Sequence, residues 1–260
     1  MKGLILVMAA TAALAVSALS AFAQDVQAIL APTGKLRVGV YLGSPTSMVR
    51  DGKTGESHGL SFDLGKELAK RLDVPFEEVR YQRISEVIDG MKAGDVDFTI
   101  SNSTPARAAV VTFSPTVLTI ELGYLVAATS PITTIADVQK PGIRVGVTQG
   151  STSQGTVPKL LPNAIVVPAQ NYKRGIEMLE RGDIDTYATN KPTLFEMSDQ
   201  MKGARVLDGR WGEEQIAVAI PKGREAALDY IQHFVEEVQT NGLLARVVEQ
   251  SGLRGVLKAQ

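Results

Sequence analysis

The chain has 260 residues, 44% hydrophobic and 21% charged, with a formal net charge of −1 and no cysteine. That balance is globular, long enough for one large or two small domains, and gives no basic field for nucleic acid or an anionic membrane. Disulfides, iron–sulfur clusters and thiolate metal sites are excluded, and two histidines far apart, His58 and His233, give little to a zinc site or a Ser-His-Asp triad. No metal and no cofactor is expected. In chain order, residues 1–23 read as a cleaved signal peptide: Lys2, an apolar run from Leu4 to Ala15, and the small-x-small site Ala21-Phe22-Ala23. Lys35 to Val40 reads as a buried strand ending in the turn Gly43-Ser44-Pro45, and Asp51 to Gly55 as a loop tip. Ser61 to Leu72 is an amphipathic helix with Phe62, Leu64, Leu68, Ala69 and Leu72 on one face. A strand near Val79, a helix from Ser85 to Ala93 stopped at Gly94, and a strand from Val96 to Ile100 follow. Thr116 to Ala128 is a long extended run. Gln215 to Ile220 reads as a strand, Glu225 to Thr240 as a long helix closed by Asn241-Gly242, and Leu243 to Gln250 as a final helix.

A repeat lies inside this order. Arg37-Val38-Gly39-Val40 with Gly43-Ser44 is matched by Arg144-Val145-Gly146-Val147 with Gly150-Ser151. Ile88 to Asn102 is matched by Ile176 to Asn190, with Gly94-Asp95-Val96-Asp97 answering Gly182-Asp183-Ile184-Asp185 at a constant offset of 88. Two α/β units of similar build follow, and ligands of such sheets sit beyond the carboxyl ends of the strands. The Gly-Ser turns and the two asparagines, Asn102 and Asn190, occupy those ends, so two facing edges would line one cleft. Asp97 and Asp185, at equivalent places, read as structural hydrogen-bond acceptors.

Ser103-Thr104-Pro105-Ala106-Arg107 follows a strand and suits the first turn of a short helix. It offers the Arg107 fork at a sheet edge beside backbone N–H groups, a combination suited to a carboxylate; the alternative is a surface arginine paired with a nearby acid. Tyr41, just past the first strand, is a candidate wall of the same pocket. Trp211 reads as a cap on the cleft or as interlobe packing, and His58 as a loop residue.

The ordered set Lys35-Leu36-Arg37-Val38-Gly39-Val40, Gly59 to Leu64, Gly94 to Asp97, Thr104 to Ala108, Phe113-Ser114-Pro115, Val145 to Thr152, Gly182 to Asp185, Ile216 to Gly223 and Asn241-Gly242 resembles the polar amino-acid-binding family of periplasmic solute-binding proteins of ABC importers. That is bacterial extracellular solute-binding protein family 3. The resemblance spans nearly all of the chain after the signal peptide. It implies a type II periplasmic-binding-protein fold: two α/β lobes, residues 24–117 plus 215–260 and residues 118–214, joined by a two-strand hinge with the ligand cleft between them. It implies that Arg107 holds a ligand carboxylate, helped by Ser151 and Thr152 from the opposite lobe, with Asn102, Thr104, Tyr41 and Asn190 around it. The implied partners are a small carboxylate-bearing solute and an inner-membrane ABC permease, for a monomer located in the periplasm.

Three positions depart from the family pattern. Asn190 stands where the family commonly has the aspartate that pairs with an α-ammonium, and asparagine supplies no countercharge. Thr46 and Ile84 stand where aromatics often sandwich the ligand, and the segment before Thr104 is short. An amino acid and a small organic anion both stay open as ligands, with Glu121 or Glu196 as candidates for the missing charge. The alternatives to transport are a periplasmic lyase of the cyclohexadienyl dehydratase type, with Lys191 and Glu196 as its acid or base, and a ligand sensor for a membrane receptor.

Overall fold

The computed structural model describes residues 25–257, so the signal peptide expected over residues 1–23 lies outside the described residues. A helical turn over residues 25–30, α1, leads into β1 (Leu36–Tyr41), where Leu36, Val38 and Val40 are fully buried. The loop tip at Asp51 to Gly55 joins the short strands β2 (Val49–Arg50) and β3 (Ser57–His58), which puts His58 in a strand. Next come α2 (Leu60–Arg71), β4 (Phe76–Tyr81), α3 (Ile84–Ala93), β5 (Thr99–Asn102), the single turn α4 (Pro105–Ala108) and the long β6 (Val111–Val126). The middle of the chain forms α5 (Ile135–Val138), β7 (Arg144–Thr148), α6 (Thr152–Leu160) and β8 (Ile165–Ala169). It continues through α7 (Tyr172–Arg181), β9 (Thr186–Asn190), α8 (Lys191–Asp199) and β10 (Arg205–Val206). β11 (Gly212–Pro221), α9 (Leu228–Thr240), α10 (Leu243–Gln250) and β12 (Val256–Leu257) complete the order.

The repeated Gly-Asp-x-Asp motif has a physical cause in both copies. Gly94 and Gly182 end α3 and α7 in the left-handed conformation, at φ 82° and 70°, where a side chain would be strained. The next N–H closes each helix, Asp95 onto the Gly90 carbonyl at 2.8 Å and Asp183 onto Met178 at 2.9 Å. The second aspartate then clamps the strand that opens its unit. Asp97 accepts from the Arg37 backbone N–H at 3.0 Å and from its Nε at 2.8 Å, and Asp185 accepts from the Arg144 backbone N–H at 2.7 Å and its Nε at 3.1 Å. Asp97 is fully buried and also receives Arg224 at 2.8 Å. Because residues 95–98 serve the cap and this clamp, the strand expected from Val96 begins only at Thr99, with a single parallel bridge from Phe98 to Val38.

Two α/β lobes result. In one, β4 and β1 run parallel, β5 lies beyond β1 through the Val38–Phe98 bridge, and β11 and β6 follow antiparallel. In the other, β8, β7 and β9 run parallel and β6 joins β9 antiparallel over Leu122 to Leu125. β5, β11, β6, β9, β7 and β8 form one continuous sheet in that order, and β6 and β11, paired from Val111–Pro221 to Leu122–Gly212, carry the chain across and back between the lobes. α9 and α10 bury Ile231, Phe234, Val235, Val238 and Val247 in the core that holds β1 and α2, so the last helices return to the first lobe. The predicted helix over 225–240 is divided. Glu225 accepts the Thr112 hydroxyl at 2.7 Å, which draws the segment onto β6, and Glu225–Ala227 forms a 3₁₀ turn ahead of α9.

Candidate ligand-binding cleft

The lobes meet along the carboxyl ends of their strands. Ser44 Oγ lies 2.8 Å from Thr193 Oγ1, Asn171 Nδ2 donates to Gln82 Oε1 at 3.3 Å, and Arg83 Nη1 donates to the Gln170 carbonyl at 3.2 Å. The rings of Tyr41 and Tyr172 pack at 6.2 Å between centroids. Gly150, at φ 72°, comes so near α3 that a Cβ placed on it would stand 2.4 Å from Ser85 Oγ. Inside this seam is a cavity of about 30 Å³, lined from one side by Tyr41, Thr46, Ile84, Asn102 and Arg107 and from the other by Ser151, Thr152, Tyr172 and Asn190. Glu214 and Ile216 of β11 form its floor. Arg107, Ser151 and Thr152 also line an open groove of about 620 Å³ at the mouth, with Thr104.

Arg107 is placed by local chemistry. Thr104 caps α4 by accepting the Arg107 backbone N–H at 3.3 Å, Pro105 fills the first turn where no N–H is needed, and the side chain turns back toward β5. Its Nη1 donates to Ser101 Oγ at 2.8 Å and to the Asn102 carbonyl at 3.4 Å. Among the described residues no carboxylate oxygen lies within 4.0 Å of the guanidinium. Burial pulls its pKa below the ordinary value, opposed chiefly by the charge of Glu214. Across the seam Ser151 caps α6 by accepting the Gln154 N–H at 3.3 Å, and the start of α6, Ser151 and Thr152, lines the same cavity as Arg107. Burial raises the phenol pKa of Tyr41, and that of Tyr172 well above its ordinary value, so both stay neutral in the wall.

All seven candidate residues from the sequence, Arg107, Ser151, Thr152, Asn190, Asn102, Thr104 and Tyr41, come together at the cavity or its mouth. Thr46 and Ile84 line it too. Three expectations are redirected. Glu121 is engaged by Lys191 at 2.6 Å and Arg210 at 3.0 Å, and Glu196 lines a separate pocket with Tyr81 and Gln82, so neither supplies charge to the cavity. Lys191 and Glu196 are likewise absent from the cavity lining, which leaves the dehydratase reading without its acid and base. Trp211 packs on Tyr124 within the second lobe, at 6.0 Å between centroids, its Nε1 donating to the Gly123 carbonyl, and caps nothing.

The sequence reading missed two residues. Tyr172 opens α7 and forms the wall opposite Tyr41. Glu214, 6% exposed, accepts Thr152 Oγ1 at 2.6 Å, Asn102 Nδ2 at 3.0 Å and Asn190 Nδ2 at 3.3 Å. Along β11 Glu213 and Gln215 are exposed while Glu214 and Ile216 are buried, an alternation that the run of three polar residues from Glu213 to Gln215 does not reveal in sequence.

Two α/β lobes sharing two long strands, with an interlobe cavity holding an arginine and a carboxylate, define a two-domain small-molecule-binding protein. The family model of the bacterial extracellular solute-binding proteins, family 3, matches residues 36–252, and the chain belongs to that family. It is a solute-binding protein of the ABC-transporter type and not an enzyme. It is similar to the ABC transporter glutamine-binding protein GlnH of Bacillus subtilis, 23% identical over 223 residues covering 84% of this chain and 81% of the relative. The glutamine-binding protein of Geobacillus stearothermophilus is 28% identical over 193 residues, 73% of each chain. Among solved structures, an ancestral amino acid-binding protein described as a precursor of cyclohexadienyl dehydratase superposes with a TM-score of 0.74 at 26% identity, covering 86% of this chain and 97% of its own. ArgBP from T. maritima shares the fold, with a TM-score of 0.77 at 23% identity over 88% of this chain and 100% of its own.

Proposed function

We propose that the protein binds a small carboxylate-bearing solute, an amino acid or related organic acid, in the cavity between its lobes and delivers it as a monomer to an inner-membrane ABC permease from the periplasm. The observation that carries this is Arg107: a guanidinium lining the seam together with the start of α6, whose hydrogen-bond partners among the described residues are a hydroxyl and a carbonyl. A carboxylate there would gain a bidentate, charge-assisted grip worth roughly 1.5–3 kcal/mol per hydrogen bond. Ser151 and the α6 N-terminus would add donors from the second lobe, so the ligand favours the arrangement in which both lobes reach it. The names of relatives that bind glutamine and arginine support a solute of that size. About 30 Å³ is room for one water, so such a ligand enters as the lobes part and holds them slightly further apart than they stand here. The lobe borders at 117/118 and 214/215 fall on β6 and β11 and are the proposed bending points.

Native mass spectrometry of gently purified protein tests this directly. A retained acid of amino-acid size, lost in Arg107→Ala, is the expected result. A retained molecule without a carboxylate, such as a simple amine or a neutral sugar, or retention unchanged in the variant, would refute it.

A further inference from the structure

We infer that Glu214 is the anionic half of the site and takes the ammonium group of a zwitterionic α-amino acid, from the shared strand β11 and not from position 190. This rests on the reading of Arg107 as the carboxylate grip.

Glu214 is buried, and the three donors that hold it, Thr152 Oγ1, Asn102 Nδ2 and Asn190 Nδ2, are all neutral. Among the described residues no lysine, arginine or histidine nitrogen lies within 4.0 Å of it. A buried carboxylate with no countercharge in contact is costly, and a cation arriving at it lowers that cost. Two of the three bonds fall on Oε1 and one on Oε2. Of about four acceptor positions on a carboxylate, one is therefore free, on Oε2. Asn102 stands between the opposite charges, its carbonyl accepting Arg107 and its amide donating to Glu214, so the two line one cavity without pairing with each other. A cation pole and an anion pole held one residue apart complement a molecule that carries both charged groups on one carbon. A second carboxylate on the solute would instead meet Glu214, which selects against dicarboxylates.

Asn190 has a definite part in this. Its Oδ1 accepts the Thr193 N–H at 3.1 Å as the cap of α8, which aims its amide at Glu214. A carboxylate at 190 would set two negative groups side by side, so the amide at 190 and the acid at 214 are complementary choices.

The test is calorimetric titration of the full chain with the standard L-amino acids and, for each binder, its des-amino analogue, such as guanidinovalerate for arginine or glutaramate for glutamine. The wild type should prefer the α-amino acid by roughly 100-fold, the effect of losing one partner of a buried charge pair. Glu214→Gln should remove that preference while changing affinity for the des-amino analogue less than about 3-fold, and adding Asn190→Asp to it should return at least about 10-fold of the lost affinity. Glu214→Asp, which keeps the charge, should retain discrimination and serves if the glutamine variant does not fold. The inference is overturned if Glu214→Gln binds amino acids like the wild type, or if the wild type binds the des-amino analogue equally well or binds no amino acid. Arg107→Ala separates the two readings. Loss of both ligands in that variant with Glu214→Gln unaffected sinks only the ammonium assignment, whereas binding intact in Arg107→Ala and lost in Glu214→Gln sinks the carboxylate grip.

Discussion

Asn102 and Asn190 occupy equivalent places in two units 88 residues apart and turn their side-chain amides onto one carboxylate, Glu214. The repeat thus reaches beyond the scaffold into the cleft, where each lobe contributes the same donor to an acid on the strand they share.

Arg107→Ala should leave the unliganded protein folded, since the side chain makes no ion pair among the described residues and bonds only Ser101 and Asn102. Thermal shift with a bound amino acid should lose most of its amplitude, corresponding to at least about a 10-fold weaker affinity. An unchanged shift removes Arg107 from the site.

Gly150→Ala acts twice, by strain at φ 72° and by a Cβ 2.4 Å from Ser85 Oγ. The first effect lowers stability by about 1 kcal/mol wherever the lobes stand, whereas the second appears only when they approach. Adding Ser85→Gly should recover ligand affinity without recovering the melting temperature. Scattering of the single variant with ligand should show a larger radius of gyration than the wild type.

Asp97→Asn should be the costlier of the two clamp substitutions. It strands Arg37 and Arg224 against a buried amide, at about 3–5 kcal/mol, whereas Asp185 is partly exposed and its loss costs about 1 kcal/mol. Urea denaturation of the pair checks the order. The second clamp also predicts a pH dependence. The Arg144 side chain, with its backbone N–H, holds the Asp185 carboxyl below its usual value against a partial opposing effect of burial. A depressed folded pKa gives stability that is full above the unfolded value near ~3.9 and is lost as pH falls through the folded one. The gap between wild type and Asp185→Asn should therefore hold from pH ~7 to ~5 and shrink below ~4.

Asn190→Asp in the otherwise native chain places an aspartate where the family commonly has one, but beside a second acid. With Glu214 accepting the Asn190 amide at 3.3 Å, it sets two carboxylates at hydrogen-bond distance. One of them should take up a proton at a raised pKa, so the variant should be less stable than the wild type at neutral pH and recover as pH falls. Glu214→Gln in the same chain should abolish that pH dependence, as urea titrations at several pH values would show.

Much of this arrangement is legible in the linear sequence because it is local or repeated. The helix stops at Gly94 and Gly182, the strands after them, the turn that presents Arg107 and the final helix all depend on neighbours within a few residues. Long-range partners are different. That Ser44 meets Thr193, or that Thr152 reaches Glu214, follows only from how the lobes face each other, and no spacing encodes it. Glu214 was passed over for a related reason: an acid at the start of an apolar strand reads as a solvated end until the partners that bury it are known. Glu121 and Glu196, better placed by sequence distance, are taken up by Lys191 and Arg210 in one case and by another face of α8 in the other.

The strand pair β6 and β11 also sets which atoms travel and which stay. If the lobes bend at those strands as proposed, Glu214, paired with Ile120 inside the ladder, moves less than Ser44, Thr193 and Gly150, which lie outside it. On that proposal a solute entering the gap would meet a nearly stationary anion before the outlying groups reach it, with capture governed at the pivot and retention at the rims.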